Sequence, residues 1–204
     1  MIVALISGRG SNLQALLEAG LPVSAAISNR ADAKGLAAAA ARGIATRVVE
    51  HRRFDSRDAF DAALAGAIEP FRPRLIVLAG FMRVLTPAFV VRYEGRLLNI
   101  HPSLLPAFPG LDTHARALAA GVKVHGCTVH FVTAELDHGP IVIQAAVPVR
   151  PQDSAETLAA RVLRQEHVIY PCAARWFLDG RLVIEAGVVR VTGNDAQQLV
   201  LAAD

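Results

Sequence analysis

The hydrophobic residues in the first hundred positions are gathered in short, nearly unbroken runs. Ile2–Ser7, Leu75–Ala79 and Leu97–Ile100 carry almost no polar side chains. Strands that are covered on both faces in parallel sheets have this composition, whereas strands with one solvent face alternate between apolar and polar residues. The three runs therefore predict central strands of a parallel sheet.

Segments with helical spacing alternate with further strands through the same half. The additional predicted strands are Val23–Ser28 and Thr46–Val49. The predicted helices are Asn12–Ala19, Lys34–Ala41 and a helix that is capped by Asp55 or Ser56 and runs to about Glu69. Strands and helices in regular alternation predict an α/β fold with a doubly wound, mostly parallel sheet and right-handed crossovers.

The pattern changes after His101. A loop rich in proline follows, and then Val124–Val132 and Ile141–Val149 indicate two longer strands. Their length and spacing predict a C-terminal antiparallel extension of the sheet. Leu182–Val191, with a glycine near its middle, is a candidate terminal hairpin.

A long late helix is predicted between the second of these strands and the hairpin. Asp153 with Glu156 resembles a capping box at its start, and Gly180 stands just past its expected end near Asp179.

The length of the chain, 204 residues, is ordinary for one α/β domain. We predict a single domain over residues 1–191, with two halves of about 1–100 and 101–191. Residues 192–204 form a tail whose composition, polar and then alanine-rich, is compatible with disorder.

Composition narrows the class of protein. Hydrophobic residues make up 53% of the chain and no apolar run approaches the ~18 residues of a membrane span, which predicts a folded protein without a membrane partner. Two cysteines do not make a disulfide framework, which favours a cytoplasmic protein. The formal charge of +3 comes from scattered basic residues, a pattern that favours small anionic ligands over nucleic acid.

A glycine-containing turn between the first strand and the first helix is the first candidate site. It reads Ser7-Gly8-Arg9-Gly10-Ser11-Asn12. The glycines allow a ligand to approach the backbone, and the start of the following helix favours an anion such as phosphate. The turn lacks the lysine of a P-loop, and Leu13 stands where a dinucleotide fingerprint has its third glycine, so a nucleotide cofactor is disfavoured. A plain βα turn without a ligand is the alternative.

The second candidate is Asn99-Ile100-His101-Pro102-Ser103-Leu104-Leu105-Pro106, at the carboxyl end of a central strand. Open α/β sheets bind ligands at this end. Asn99 and His101 are two positions apart, so their side chains project from the same face of a strand. An amide donor beside an imidazole suits acyl-type transfer, in which a negative oxygen develops and a proton moves. A loop histidine that only hydrogen-bonds backbone is the alternative.

The third candidate lies between the two later strands, in Thr133-Ala134-Glu135-Leu136-Asp137-His138-Gly139-Pro140. Asp137 is a turn residue on its own, and it gains a catalytic meaning only if the fold brings it beside His101, where it would favour the charged imidazole. The seven histidines show no recognised metal-ligand spacing, so no metal site is expected.

Taken in order, these segments resemble the glycinamide ribonucleotide formyltransferase family from Ile2 to about Arg181. Further matching pieces are Ser28-Asn29-Arg30, Phe54-Asp55-Ser56-Arg57, Leu78-Ala79-Gly80-Phe81-Met82-Arg83, Pro109-Gly110 and Gln165-Glu166-His167. The resemblance implies a Rossmann-like formyltransferase fold. It also implies transfer of a formyl group from 10-formyltetrahydrofolate to the glycinamide amine, with folate as a co-substrate and neither a metal nor a nucleotide cofactor.

The resemblance also implies roles for individual residues. The first half would hold the substrate phosphate on Gly10, Ser11 and Asn12, while Glu166 would contact the sugar of the same substrate. The implied folate-binding residues are Arg57, Met82, Arg83, Val84, Leu85 and Asn99.

Asn99, His101 and Asp137 match the catalytic trio of the family. The first two would stabilise the oxyanion, and Asp137 would keep His101 protonated and help to move the proton of the amine. His138 departs from the usually small or polar residue before Gly-Pro.

Related chemistries remain as alternatives. Methionyl-tRNA and sugar-nucleotide formyltransferases resemble the His-Pro-Ser-Leu-Leu-Pro block, but they generally carry an additional C-terminal domain. Formyltetrahydrofolate hydrolases usually carry an N-terminal regulatory domain. A non-catalytic phosphate-binding module would leave the trio unexplained. The expected partners are small molecules, and the protein is expected to be a monomer or a homodimer.

Overall fold

Five parallel strands form the first part of the computed structural model, which describes residues 1–193 and 195–200. They are β1 (Ile2–Ile6), β2 (Val23–Ser28), β3 (Ala45–Val48), β4 (Leu75–Leu78) and β5 (Leu97–His101). Their order across the sheet is β5-β4-β1-β2-β3. The chain therefore proceeds from β1 outward to β3, returns to β4 and continues in the opposite direction, which is the doubly wound arrangement that was predicted.

Four helices connect these strands. They are α1 (Ser11–Glu18), α2 (Lys34–Ala40), α3 (Arg57–Ile68) and α4 (Pro87–Arg92). Helices α1 and α2 contact each other, as do α3 and α4. Because the crossovers of parallel sheets are right-handed, the reversal of strand order places the two pairs on opposite faces. Of the two proposed caps for α3, Ser56 is the one observed, since its side chain accepts a hydrogen bond from Ala59 N.

The core of this part is apolar and continuous with the strands. β1 and β4 are buried along their whole length. Side chains of α3 and of the segment after β4 cover one face, among them Phe60, Leu64 and Phe89. Burial on both faces is the reason why these strands lack the alternation of polar and apolar residues.

The later elements are α5 (Thr113–Ala119), β6 (Val124–Phe131), β7 (Ile141–Pro148), α6 (Ala155–Leu178), β8 (Leu182–Glu185), β9 (Val188–Val191) and β10 (Gln198–Val200). Strands β6 and β7 are antiparallel, β8 and β9 form a hairpin, and β10 pairs with β7 in parallel. Helix α6 contacts both β6 and β7. The predicted antiparallel extension and long late helix are thus confirmed.

The chain divides into two units. One contains Met1–Asn99 with Val132–Ala134, and the other contains Ile100–Phe131 and the chain from Glu135 onward. In the predicted tail, Gln198–Val200 form β10, whereas residues 194 and 201–204 lie outside the described residues. Within the described ranges, no helix is long and apolar enough to cross a membrane.

The start of α6 differs from the prediction. Its capping box is formed by Ser154 and Thr157, whose side chains each accept a hydrogen bond from the other's backbone amide. Asp153 instead binds Arg161 through two hydrogen bonds of 2.7 Å. A charged partner about two helical turns further along is a stronger attraction for a carboxylate than a cap position, and sequence spacing does not reveal it.

The Asp153–Arg161 pair predicts acid-dependent stability. Both side chains are at least nine-tenths buried, and Arg161 lowers the pKa of Asp153 well below its usual range. A lowered folded pKa means that the stabilisation is present above the ordinary aspartate range and is lost as the pH falls through the folded value. Asp153→Asn should reduce the free energy of unfolding at pH 7 by about 1.5–3 kcal/mol, because the buried Arg161 loses its charged partner and keeps the Pro148 carbonyl oxygen as an acceptor.

Urea unfolding from pH 7 downward measures this effect, with the exposed Asp55→Asn as a control. The difference between wild type and Asp153→Asn should shrink as the pH falls. A difference that stays constant over this range would contradict the assignment.

Candidate active site

The turn after β1 is shaped to present the start of α1. Gly10 is the N-cap of α1 and has a φ of 75°, in the left-handed region that favours glycine. The first intrahelical hydrogen bond runs from Gln14 N to Gly10 O at 2.9 Å. The amides of Ser11 and Asn12 come before this bond, at the positive end of the helix dipole. An anion bound here would accept hydrogen bonds from both amides and would be attracted by the positive end of the helix dipole.

A second glycine fixes the position of this turn. A Cβ on Gly10 would lie 2.7 Å from the Cα of Gly35, and a Cβ on Gly35 would lie 2.9 Å from the Cα of Gly10. Gly35 N also donates to Gly8 O at 3.0 Å. The turn is therefore in direct backbone contact with α2, and a side chain at Gly10 would disturb packing before it reached any ligand.

The segment Met82–Leu85 follows β4 and is held at both ends. Met82 N donates to Ser7 Oγ at 2.8 Å, and Thr86 N, just past Leu85, donates to Asp61 Oδ2 at 2.6 Å. Between these anchors Met82 is 66% exposed and Val84 is 50% exposed, while Leu85 is buried. Two exposed apolar side chains on an anchored loop make a surface that an apolar ligand can cover.

A cavity of about 470 Å³ opens beside this segment. Its walls come from the turns that follow β1, β2, β3 and β4, and they include Met82 and Arg83. The volume lies within the usual range for small-molecule sites, and the position matches the point where the strand order reverses. The other predicted folate residues of this unit are elsewhere: Arg57 is exposed at the start of α3, and Val84 and Leu85 do not line the cavity.

Arg83 contributes a polar atom that faces no protein acceptor. Its Nε is buried and has no hydrogen-bond partner within the described residues. Buried polar groups are almost always paired in folded proteins. A ligand acceptor at this point would satisfy the guanidinium.

Asn99 and His101 both belong to β5, with one residue between them. Asn99 is half-buried and His101 is 5% exposed. The Nε2 atom of His101 lies 3.0 Å from the carbonyl oxygen of Phe108, which fixes the orientation of the ring. The ring thus reaches the end of the strand with one nitrogen already engaged.

Asp137 lies beside His101. Its Oδ2 atom is 3.4 Å from His101 Nδ1 and accepts a hydrogen bond of 2.8 Å from Gly110 N. Both nitrogens of the ring therefore face oxygen atoms that only accept, and only the doubly protonated ring can donate to both. Asp137 has a φ of 56°, unusual for a residue with a side chain. The fold therefore brings Asp137 beside His101, as a catalytic role for Asp137 requires. The role itself stays a prediction.

Thr128 anchors the loop that carries these contacts. Its hydroxyl donates to Ser103 O at 2.7 Å and accepts hydrogen bonds from Leu105 N and from Gln144 Nε2. Gln144 also donates to Leu105 O at 2.9 Å. The hydroxyl thereby uses its one donor and both acceptor positions in a buried network, which rigidifies the loop between His101 and Phe108.

Burial lowers the pKa of two further histidines, His114 and His125, and raises the pKa of both cysteine thiols. His125 Nε2 lies 3.2 Å from His114 Nδ1, and burial, followed by the charge of His114, lowers the pKa of His125 to about 4. Burial likewise raises the pKa of the Cys127 and Cys172 thiols, so neither is a reactive thiolate near neutral pH.

Glu166 lies on α6 and is 8% exposed. Its negative charge helps to raise the pKa of Cys127, which places its carboxylate near β6. Sequence reasoning did not identify His130, which lies 3.8 Å from Asp137, or the Phe108 carbonyl. Among the described residues, no three or more His, Cys, Asp or Glu side chains are grouped so as to hold a metal ion.

Comparisons with known proteins agree with this arrangement. A family model described as formyl transferase matches residues 1–174. The chain is 51% identical to the phosphoribosylglycinamide formyltransferase of Escherichia coli (strain K12), with 100% of this chain and 99% of that protein covered. It is 44% identical to the Haemophilus influenzae enzyme of the same name, with 95% of this chain and 94% of that protein covered.

A solved structure extends the agreement to the fold. Glycinamide ribonucleotide transformylase 1 from Symbiobacterium toebii superposes with a TM-score of 0.91 at 50% identity, over 93% of this chain and 92% of that one. Such identity over nearly the full length of several relatives exceeds what a shared fold alone produces. The chain therefore belongs to the formyl transferase family and, within it, to the phosphoribosylglycinamide formyltransferases.

Proposed function

We propose that the protein transfers the formyl group of 10-formyltetrahydrofolate to the amine of glycinamide ribonucleotide in purine synthesis. The products are formylglycinamide ribonucleotide and tetrahydrofolate. The observation that carries the proposal is the contact between His101 and Asp137, with Asn99 on the same strand as His101, in a member of this family.

The phosphorylated substrate would bind through the turn after β1. The amides of Gly10, Ser11 and Asn12 would receive the phosphate, which the helix dipole also attracts. Glu166 would accept hydrogen bonds from the hydroxyl groups of the ribose. An acidic residue suits a neutral sugar with several donors and would repel a second phosphate, so it discriminates between the two ends of the substrate.

The formyl donor would bind beside Met82–Leu85. The exposed side chains of Met82 and Val84 and the buried Leu85 offer apolar contact to its ring systems. The unsatisfied Nε of Arg83 supports a polar or anionic ligand group in the adjoining cavity. Arg57, exposed at the start of α3, would attract the carboxylates of the donor from solvent.

The chemistry follows from what each side chain can donate or accept. The amine attacks the formyl carbon, and the carbonyl oxygen becomes negative. Asn99 and His101 would donate hydrogen bonds to that oxygen, which is the largest single contribution in many acyl transfers. His101 would do so from Nδ1, sharing that N–H between the oxyanion and Asp137, because Nε2 is engaged by the Phe108 carbonyl oxygen. Asp137 would keep His101 in its charged form and take the proton of the attacking amine. The proton is then delivered to the folate nitrogen as its bond to the formyl carbon breaks.

Turnover with purified protein tests the proposal. Incubation with 10-formyltetrahydrofolate and glycinamide ribonucleotide should release tetrahydrofolate in step with the formylated product, as followed by absorbance and mass spectrometry. Glycinamide riboside, which lacks the phosphate, and methionyl-tRNA serve as comparison acceptors and should react far more slowly. Hydrolysis of the donor that does not depend on the acceptor would replace this function with a hydrolase. The cytoplasmic location and the state of monomer or homodimer remain predictions.

A further inference from the structure

The carboxylate of Asp137 is flanked by two imidazoles, of which the proposed mechanism uses only one. His101 Nδ1 lies 3.4 Å from Oδ2, and His130 Nε2 lies 3.8 Å from Oδ1. His130 is 2% exposed and belongs to β6, so it is a buried polar side chain directed at a group with a proposed catalytic role. Such burial carries a desolvation penalty that requires an explanation.

The orientation of His130 is set by the backbone. Its Nδ1 lies 2.8 Å from the carbonyl oxygen of Phe131, and because a carbonyl only accepts, Nδ1 carries a hydrogen. The pairing of β6 with β7 also shifts at this residue, from Val129 opposite Ile143 to His130 opposite Ile141. Bulges of this kind turn a side chain away from the regular direction and are frequent beside active sites. Nε2 is thereby the nitrogen that faces Asp137.

Because the His130 tautomer is fixed, the two oxygen atoms of Asp137 have surroundings that favour different protonation states of the carboxyl group. On Oδ2, Gly110 N and His101 favour the ionised carboxylate. On Oδ1, the neutral His130 ring presents a lone pair, which favours a protonated carboxyl because only an O–H can donate to it. Burial lowers the pKa of His130, against the opposing effects of the Phe131 carbonyl and of Asp137, while His101 lowers it further. The charges of Asp137 and His101 both act on this ring.

We infer that His130 is a positioning residue for Asp137, whose Nε2 accepts a hydrogen bond from the carboxyl while Asp137 carries the proton of the attacking amine. This inference rests on the proposed function. The proton moves from the amine to Oδ1, is held there by His130, and leaves Oδ1 for the departing nitrogen, so none is gained or lost. An approach of about 1 Å brings Nε2 and Oδ1 from 3.8 Å to hydrogen-bond distance.

Two variants separate the two nitrogens of the ring. The amide of His130→Asn can occupy the place of Nδ1 and keep the bond to Phe131 O, whereas the amide of His130→Gln reaches the place of Nε2. We expect His130→Asn to lower kcat roughly 10- to 100-fold, the range for leaving one buried hydrogen-bond donor without its acceptor, with KM for glycinamide ribonucleotide unchanged. His130→Gln should recover most of this loss. If the His130 ring served only to pack and to bind Phe131 O, His130→Asn would keep the kcat of wild type and His130→Gln would lower it. That result would overturn the inference.

Val129→Ala is the matched control, since it removes buried volume next to His130 without touching Asp137. It should lower the melting temperature while kcat of the folded protein stays within about twofold of wild type. Nitrogen-detected NMR of the imidazoles gives a readout that needs no turnover. The wild type should show His130 protonated at Nδ1, and the His101 signals should move in His130→Asn but not in Val129→Ala. A hydrogen on Nε2 alone would refute the tautomer, whereas inactive wild-type protein with the expected spectra would refute only the proposed reaction.

Discussion

Losing either His101 or Asp137 is expected to remove nearly the same part of the rate. His101→Ala and Asp137→Asn should each lower kcat by roughly 10²–10⁴, the range for positioned acid–base groups. In the proposed mechanism the two side chains, whose nearest nitrogen and oxygen atoms are 3.4 Å apart, act as one unit: Asp137 would hold the imidazole in place, and the imidazole would stabilise the oxyanion. The double variant should be little worse than the poorer single one, because residues that act together do not contribute additively.

A double-mutant cycle on kcat measures this coupling. Glu135→Gln is the matched control, since it removes a carboxylate from the same loop at a position that is 74% exposed and pairs with His138. It should leave kcat nearly unchanged. Additive losses in the double variant would show that Asp137 is a turn residue and that the contact with His101 is structural.

Asn99→Ala should lower kcat by roughly 10²–10³, the usual effect of removing one donor to an oxyanion. KM for both substrates should change little, because the interaction strengthens only as the oxygen becomes negative. Asn99→Asp sharpens the test, since it keeps the size of the side chain but replaces the donor with an acceptor, and should be at least as slow as alanine. Near-normal turnover of either variant would remove Asn99 from the mechanism.

The parallel part of the fold was predictable because strands that are buried on both faces are continuous apolar runs in the sequence. Ile2–Ser7 and Leu75–Ala79 are almost uniformly apolar, and the corresponding strands are buried throughout, ending one residue earlier. Ser56 is a cap residue in sequence and in structure, because an N-cap bond spans only three positions. Such local features need no knowledge of the rest of the chain.

Short elements that have no distinctive pattern in the sequence were not predicted. α5 has seven residues, and its N-cap, Asp112, has a left-handed φ of 55° and no side-chain cap bond. β10 has three residues and pairs with a strand more than fifty positions earlier. Their stability comes from neighbours that the sequence pattern does not reveal.

The candidate site shows the same division. The chemistry of Asn99, His101 and Asp137 could be inferred from residue types, but His101 and Asp137 are 36 positions apart and only the fold brings them together. His130 was overlooked because a histidine flanked by apolar residues within a strand resembles a core residue. The sequence did contain a signal: an ionisable side chain stands between the apolar residues Val129 and Phe131, where burial in a core would favour a third apolar residue.

The contact between Gly10 and Gly35 constrains how the sequence of this protein can vary. The two residues are 25 positions apart, yet neither can gain a side chain unless both backbones move. A substitution at either glycine would therefore displace the backbone of the other. In the turn after β1, a side chain has room at Gly8 instead, where an added Cβ would meet nothing within 4 Å. Of the two glycines in this turn, Gly8 is therefore the one at which a larger residue can be introduced without moving α2.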